Sequence, residues 1–277
     1  MMGRSHALCG LIVGVGLAAA FPYAPLPVRL LVVPVTGGAA LLPDLDHVGS
    51  KIAHSLGFVT RFLAKVTDEI SVAIYHATRL NGDPSHREGG HRLVTHTVPG
   101  CLFFGVECGV AELIHPIVGA VHLALLLGLL TGWVRQLGRK TQRELGGVIK
   151  AVSPKSVTQL MALLLRNAGM VFALAGVYLA YTVMADYPSW LWLWPVAVFL
   201  GAMAHVGGDA CTNSGVPLWF PRARGDRRWS KVKLPVTFET GQEEETHTVT
   251  PLLGVGFVTA LGFATGMAQL LIHLVVS

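Results

Sequence analysis

The sequence predicts an all-α, polytopic transmembrane helical bundle of about six or seven spans, with a metal site facing the cytoplasm and one amphipathic surface helix. Three observations predict it. Of 277 residues, 52% are hydrophobic and 13% charged, against about 25% charged residues in soluble domains, and the mean hydropathy is +0.56. Apolar runs recur along the whole chain. Where several of these runs end, aspartate and histidine gather, as in Leu41-Leu42-Pro43-Asp44-Leu45-Asp46-His47. A lipid-facing run has no use for carboxylates, so their presence at its exit calls for a partner.

The elements follow in order. Residues 8–22 form a short first span, entered from Arg4. Ala18-Ala19-Ala20 has the look of a signal-peptide cleavage site. We read residues 1–20 as retained, because His6 belongs to the constellation below. Pro22, Pro25 and Pro27 make a turn, and residues 28–43 return. Residues 51–79 form an amphipathic helix at the membrane surface or across the bundle end. Its stripe is Ile52, Leu56, Val59, Leu63, Val66, Ile70 and Ile74, spaced by three and four. Asn81-Gly82-Asp83-Pro84 breaks it. Runs at 97–114 and 117–134 are parted by His115-Pro116. A basic loop at 135–156 follows, then a run within 157–184. Residues 189–208 open with Trp190, Trp192 and Trp194, an interfacial aromatic belt. A polar loop at 209–249 carries an alternating segment, Lys231 to Phe238, that suggests a short hairpin. The last run spans 250–275. All of 1–277 reads as one membrane domain.

The net charge of +5 sits mostly in the loops at 135–156 and 222–233. The connections at 22–27, 115–116 and 185–189 hold no Lys or Arg. Positive-inside topology accounts for this excess without nucleic-acid binding. It puts the N-terminus in the cytoplasm and gives seven crossings of the inner membrane. Cys9, Cys101, Cys108 and Cys211 lack metal-knuckle spacing and read as small buried hydrophobes.

On that topology His6, Asp44, Asp46, His47, His91, His96, His205 and Asp209 all reach the cytoplasmic face, from four separate stretches. His205 and Asp209, four apart, share one helical face, and Gly207 and Gly208 leave room beside them. Mixed imidazole and carboxylate ligands suit a divalent ion, with zinc expected, manganese or iron as alternatives, and one to three ions in all. Paired ions suit phosphoester hydrolysis. Asp44 or Asp46 would bridge ions or act as base, and Arg92 would hold a phosphate. Asp46 reads as the better ligand, and Asp44 as an orienting group. Thr95 reads as a cap for the following helix. Trp219 and Phe220 read as a wall admitting a lipid-like substrate. His247 is a reserve ligand. Glu107 reads as an intramembrane acid bonded to a neighbouring helix, or as a functional one. His54, His76, His86, His115, His122 and His273 read as bystanders.

HALCG at 6–10, LLPDLDH at 41–47, HRLVTHT at 91–97 and HVGGDACTNSGVPLWFP at 205–221 together resemble the YdjM-type family. Its members are described as LexA-binding, inner-membrane-associated metal-dependent hydrolases. The resemblance implies a membrane-bound hydrolase whose ligands are the eight residues above. The LexA label concerns regulation of some members' genes and implies no DNA binding here. The pattern is more distantly similar to zinc-dependent phospholipase C, an all-helical enzyme that also uses HxxxD. The expected function is hydrolysis of a phosphoester on a lipid-like substrate at the cytoplasmic face, with the lipid bilayer as the protein's partner. A metal or ion transporter and a non-catalytic scaffold pinned by metal are the alternatives. A transporter's ligands would sit nearer the midplane, between inverted repeats, and no repeat is visible.

Overall fold

The computed structural model describes residues 1–85, 91–131, 175–235 and 237–264. Among these, all regular structure is helical: α1 (Gly3–Ala20), α2 (Leu26–Ala39), α3 (Phe58–Thr78), α4 (Val98–Ile114), α5 (Pro116–Thr131), α6 (175–186), α7 (Leu193–Ala210) and α8 (Thr250–Ala264). The basic stretch at 135–156, most of the run at 157–184, His86, Val236, His273 and the end of the run at 250–275 lie outside the described residues.

Gly3–Ala20, Leu26–Asp46 and Pro188–Ala210 are each long and apolar enough to cross a membrane, and α5 is apolar but shorter. α1 packs against α2, α7 and α8, while α7 also packs on α2 and α4. Small residues allow the closest of these contacts. A Cβ on Gly10 would lie 2.7 Å from the Thr36 carbonyl oxygen, and one on Gly201 2.5 Å from that same atom. Two helices therefore approach the α2 backbone at one level, a packing mode suited to lipid, where apolar side chains gain nothing by leaving the solvent. Val28, Val32, Val35, Leu123, Leu126 and Trp194 fill the interior. Leu102, Phe103, Leu113, Tyr178, Leu252 and Val258 point outward, where a bilayer would cover them.

α3 begins at Phe58, later than the pattern suggested, after a series of turns. It packs on Pro43–Asp46 and Val94–His96, two short 3-10 segments at one end of the bundle. Its buried line is Thr60, Ala64, Ser71 and Tyr75. Of the apolar stripe, Ile52 is buried and Leu56, Leu63, Val66 and Ile74 are half-buried, while Val59 and Ile70 are exposed alongside Phe58 and Phe62. In a membrane setting the exposed apolar residues of a surface helix have lipid to meet, so Val59 and Ile70 need no protein partner.

The alternating segment near Lys231 becomes one arm of a loose hairpin. Val232 bridges Val216 and Arg227 bridges Arg224, both antiparallel, around Gly225, which has φ +64°. These are isolated bridges, and no strand forms among the described residues.

Candidate metal centre

Four chain segments deliver the site. His6 lies in the first turns of α1. Pro43 opens a 3-10 turn after α2 that carries Asp44 and Asp46. His91 and Arg92 precede a second 3-10 turn, Val94–His96. His205 and Asp209 close α7. Thr97, not Thr95, caps α4: its hydroxyl accepts the Gly100 N–H at 3.0 Å.

Asp46 is fully buried and organises its neighbours. Its Oδ2 accepts the Arg92 backbone N–H at 3.0 Å and the Thr95 hydroxyl at 2.5 Å. His91 Nδ1 sits 3.0 Å from Oδ1, and His96 Nδ1 3.3 Å from Oδ2. A carboxylate on Nδ1 fixes each ring as an Nδ1–H tautomer and leaves Nε2 as the ligand-capable nitrogen. His205 is oriented the same way by another acceptor, donating from Nδ1 to the Ala40 carbonyl at 2.8 Å.

The freed nitrogens converge. His205 Nε2 lies 3.1 Å from His96 Nε2, 3.7 Å from Asp209 Oδ2 and 3.7 Å from Asp44 Oδ1. His96 Nε2 is 3.4 Å from Asp209 Oδ2. Two ligands each about 2.0–2.1 Å from one tetrahedral ion sit roughly 3.3 Å apart, so this spacing fits a shared cation. Two buried atoms, Asp209 Oδ2 and His6 Nδ1, have no hydrogen-bond partner among the described residues. His96 records the same demand for positive charge. Burial alone lowers its pKa, but Asp46 and Asp209 outweigh burial and push it up to about 9. The donor set and its unmet atoms therefore fit a divalent metal.

The ligand-capable groups fall into two trios. His6, His205 and Asp209 are wholly buried, the rings of His6 and His205 stacked at 3.5 Å. Asp44, His91 and His96 include two partly exposed members. A cleft of about 370 Å³ reaches Asp44, His47, His91 and Arg92, with Arg4 and Lys51 on its wall.

Two roles differ from the sequence reading. Asp44, not Asp46, stands in the cleft as the ligand candidate, and Asp46 is the orienting group. His47 is exposed and belongs to neither trio; its ring leans on that of His91 at 4.9 Å. Arg92 is near the site but already engaged. One guanidinium nitrogen donates to Asp209 Oδ1 at 2.9 Å and another to the Thr212 hydroxyl at 3.0 Å. Its backbone has φ +58°, an unusual conformation for a side-chain-bearing residue, retained while its N–H holds Asp46. Arg92 thus joins the two trios. Of the room expected at Gly207 and Gly208, only Gly208 uses it: a Cβ there would meet Met1 Sδ at 2.5 Å and His6 Nδ1 at 3.5 Å, while Gly207 has open space. His247 is exposed and joins no trio. Glu107 pairs with His122 at 3.2 Å on neighbouring helices.

Sequence reasoning missed Thr212, the Ala40 carbonyl and the donor role of Thr95. Thr212 lies in the same stretch as Asp209 and carried a weak signal; a backbone carbonyl carries none.

A family model described as YdjM inner membrane protein matches residues 1–135 and 169–275. No curated protein and no solved structure matches. The chain belongs to the YdjM inner membrane protein family, a membrane assignment its apolar helices support.

Proposed function

We propose that this protein is a metal-dependent hydrolase of the inner membrane, cleaving a phosphoester of a lipid-like substrate at the cytoplasmic face. The supporting observation is the convergence of four oriented donors, His96, His205, Asp209 and Asp44, beside an open cleft. Divalent ions bound there, zinc by preference, would supply an acidified water and offset charge on the leaving oxygen. The chain's own residues do the rest. Asp46 holds His91 and His96 in register, and the Ala40 carbonyl holds His205. Arg92 holds Asp209 in place across the two trios. Asp44, on the cleft wall, is the carboxylate a substrate meets. Arg4 and Lys51 give that wall positive charge suited to a phosphate. The basic loops of the sequence support an inward-facing site and seven crossings.

One observation favours a second reading. The trio of His6, His205 and Asp209 is closed to solvent, as in structural metal sites, whereas catalytic sites keep an open position. A structural ion there would pin α1 to α7.

The test uses the full chain purified in detergent. Metal per chain is measured by mass spectrometry, and hydrolysis of bis(p-nitrophenyl) phosphate is followed with zinc, manganese or iron. The expected result is at least one tightly held ion and a hydrolysis rate abolished by His205→Ala. Metal retained with no hydrolysis of this or a phospholipid probe would replace the hydrolase reading with the structural one. No retained metal would overturn both.

A further inference from the structure

A second charged feature lies in the loop between α7 and α8, outside both trios. Arg222, Arg224, Arg228 and Lys231 line a groove of about 340 Å³ with Trp219 and Phe220. Asp226 is the sole acid between residues 219 and 234, and its carboxylate lies against Gly82. The nearby Asp83 carboxylate is occupied by the backbone N–H groups of Leu80, Arg228 and Trp229 at 2.9–3.1 Å. Arg222, Arg224 and Arg228 form no ion pair among the described residues. The Nε of Arg228 is buried without a partner among them. Arg222, Arg224 and Arg228 thus share one groove that no carboxylate lines, an arrangement that favours an anion.

The groove is also held in shape. Phe220 stacks on Trp229 at 4.2 Å, and Trp229 packs on Tyr75 of α3 at 5.4 Å. Asp83 fixes the backbone at Arg228 and Trp229, and the bridges 216–232 and 224–227 close the hairpin. A backbone held in this way presents its arginines to one groove, and their planar donor pairs match phosphate oxygens. Trp219 is 61% exposed at the rim, a residue type that sits at headgroup depth.

We propose that this groove is a binding site for a phosphate group, separate from the metal centre and independent of any hydrolysis there. A lipid headgroup and a free phosphate share that chemistry, and the experiment tells them apart.

Full-length protein in detergent micelles is titrated calorimetrically with dioctanoylphosphatidic acid and, separately, with inorganic phosphate. Arg222→Gln/Arg224→Gln/Arg228→Gln should weaken binding by at least about 10-fold, through the loss of charge-assisted hydrogen bonds. Metal content should not change, which separates this result from any failure at the metal centre. Arg222→Gln/Arg224→Gln alters only exposed residues; it should cost at least about 3-fold and decides the matter if the triple variant misfolds. Arg61→Gln/Lys65→Gln on α3 removes the same charge as the double variant at a site away from the groove and should leave binding within about 2-fold, the size of a distant, screened effect. Tighter binding of the lipid identifies a headgroup site, and equal binding of both probes identifies a free-phosphate site. Binding of neither probe, or equal losses in the α3 variant, overturns the proposal.

Discussion

The buried trio of His6, His205 and Asp209 and the open trio of Asp44, His91 and His96 use the same two residue types, and differ in what surrounds them. The first has no solvent contact and draws its members from α1 and α7 alone. The second stands on irregular backbone between helices and opens to the cleft. Helices supply dry ligands, whereas the segments between them bring Asp44 and His91 to the cleft. Arg92 binds the halves together: its backbone holds Asp46 behind the open trio, and its guanidinium holds Asp209 in the closed one. The difference predicts that damage to the closed trio costs stability first, and damage to the open trio costs chemistry first.

The largest effect should come from Asp209→Ala. It strands a buried guanidinium and a buried imidazole together, and breaking a buried pair on one side costs about 3–5 kcal/mol. Thermal unfolding in detergent should show it, together with loss of bound metal. An unchanged midpoint would mean that the closed trio is not what fastens α1 to α7.

Asp44→Ala should do the reverse. Asp44 is partly exposed, its side chain at 15%, and its loss should change stability by less than about 1 kcal/mol. Hydrolysis of bis(p-nitrophenyl) phosphate should fall by more than about 100-fold, beyond what loss of an orienting group costs. If stability fell as far as in Asp209→Ala, the distinction between the trios would collapse. Asp46→Asn should fall between the two. The carboxamide keeps the shape but no longer sets the tautomers of His91 and His96, so metal affinity should drop about 10–100-fold with the protein still folded. Titration with a zinc-competing chelator measures it.

How much of this was legible in the sequence depended on where each signal resides. The bundle was legible, because apolar runs and proline turns are local. So was the gathering of LLPDLDH, HRLVTH and HVGGD, because each borders an apolar run. The roles of Asp44 and Asp46 were not. They exchange because a 3-10 turn after Pro43 drives Asp46 under the Arg92 N–H and leaves Asp44 outside, and nothing in the spacing of two aspartates encodes that. Arg92 looked like a phosphate holder because its partner Asp209 is 117 residues away. The outward turn of Val59 and Ile70 on α3 depends on the apolar surroundings of a membrane protein. A periodicity reports one apolar face without saying whether protein or lipid covers it.

The smallest predicted effect sharpens the comparison most at its edge. His47 is adjacent to Asp46 and resembles a ligand in sequence. Yet it is exposed, belongs to neither trio, and touches the site through the face of the His91 ring, centroids 4.9 Å apart. A ring contact of that kind contributes about 0.5–1.5 kcal/mol at most, and less when solvated. His91 keeps its orientation without it, since Asp46 holds its Nδ1 at 3.0 Å. His47→Ala should therefore leave metal per chain unchanged and shift zinc affinity by less than about 3-fold, the equivalent of roughly 0.6 kcal/mol. A loss of one ion per chain in His47→Ala would place a ligand outside both trios. The open half of the centre would then extend past His91 to the surface.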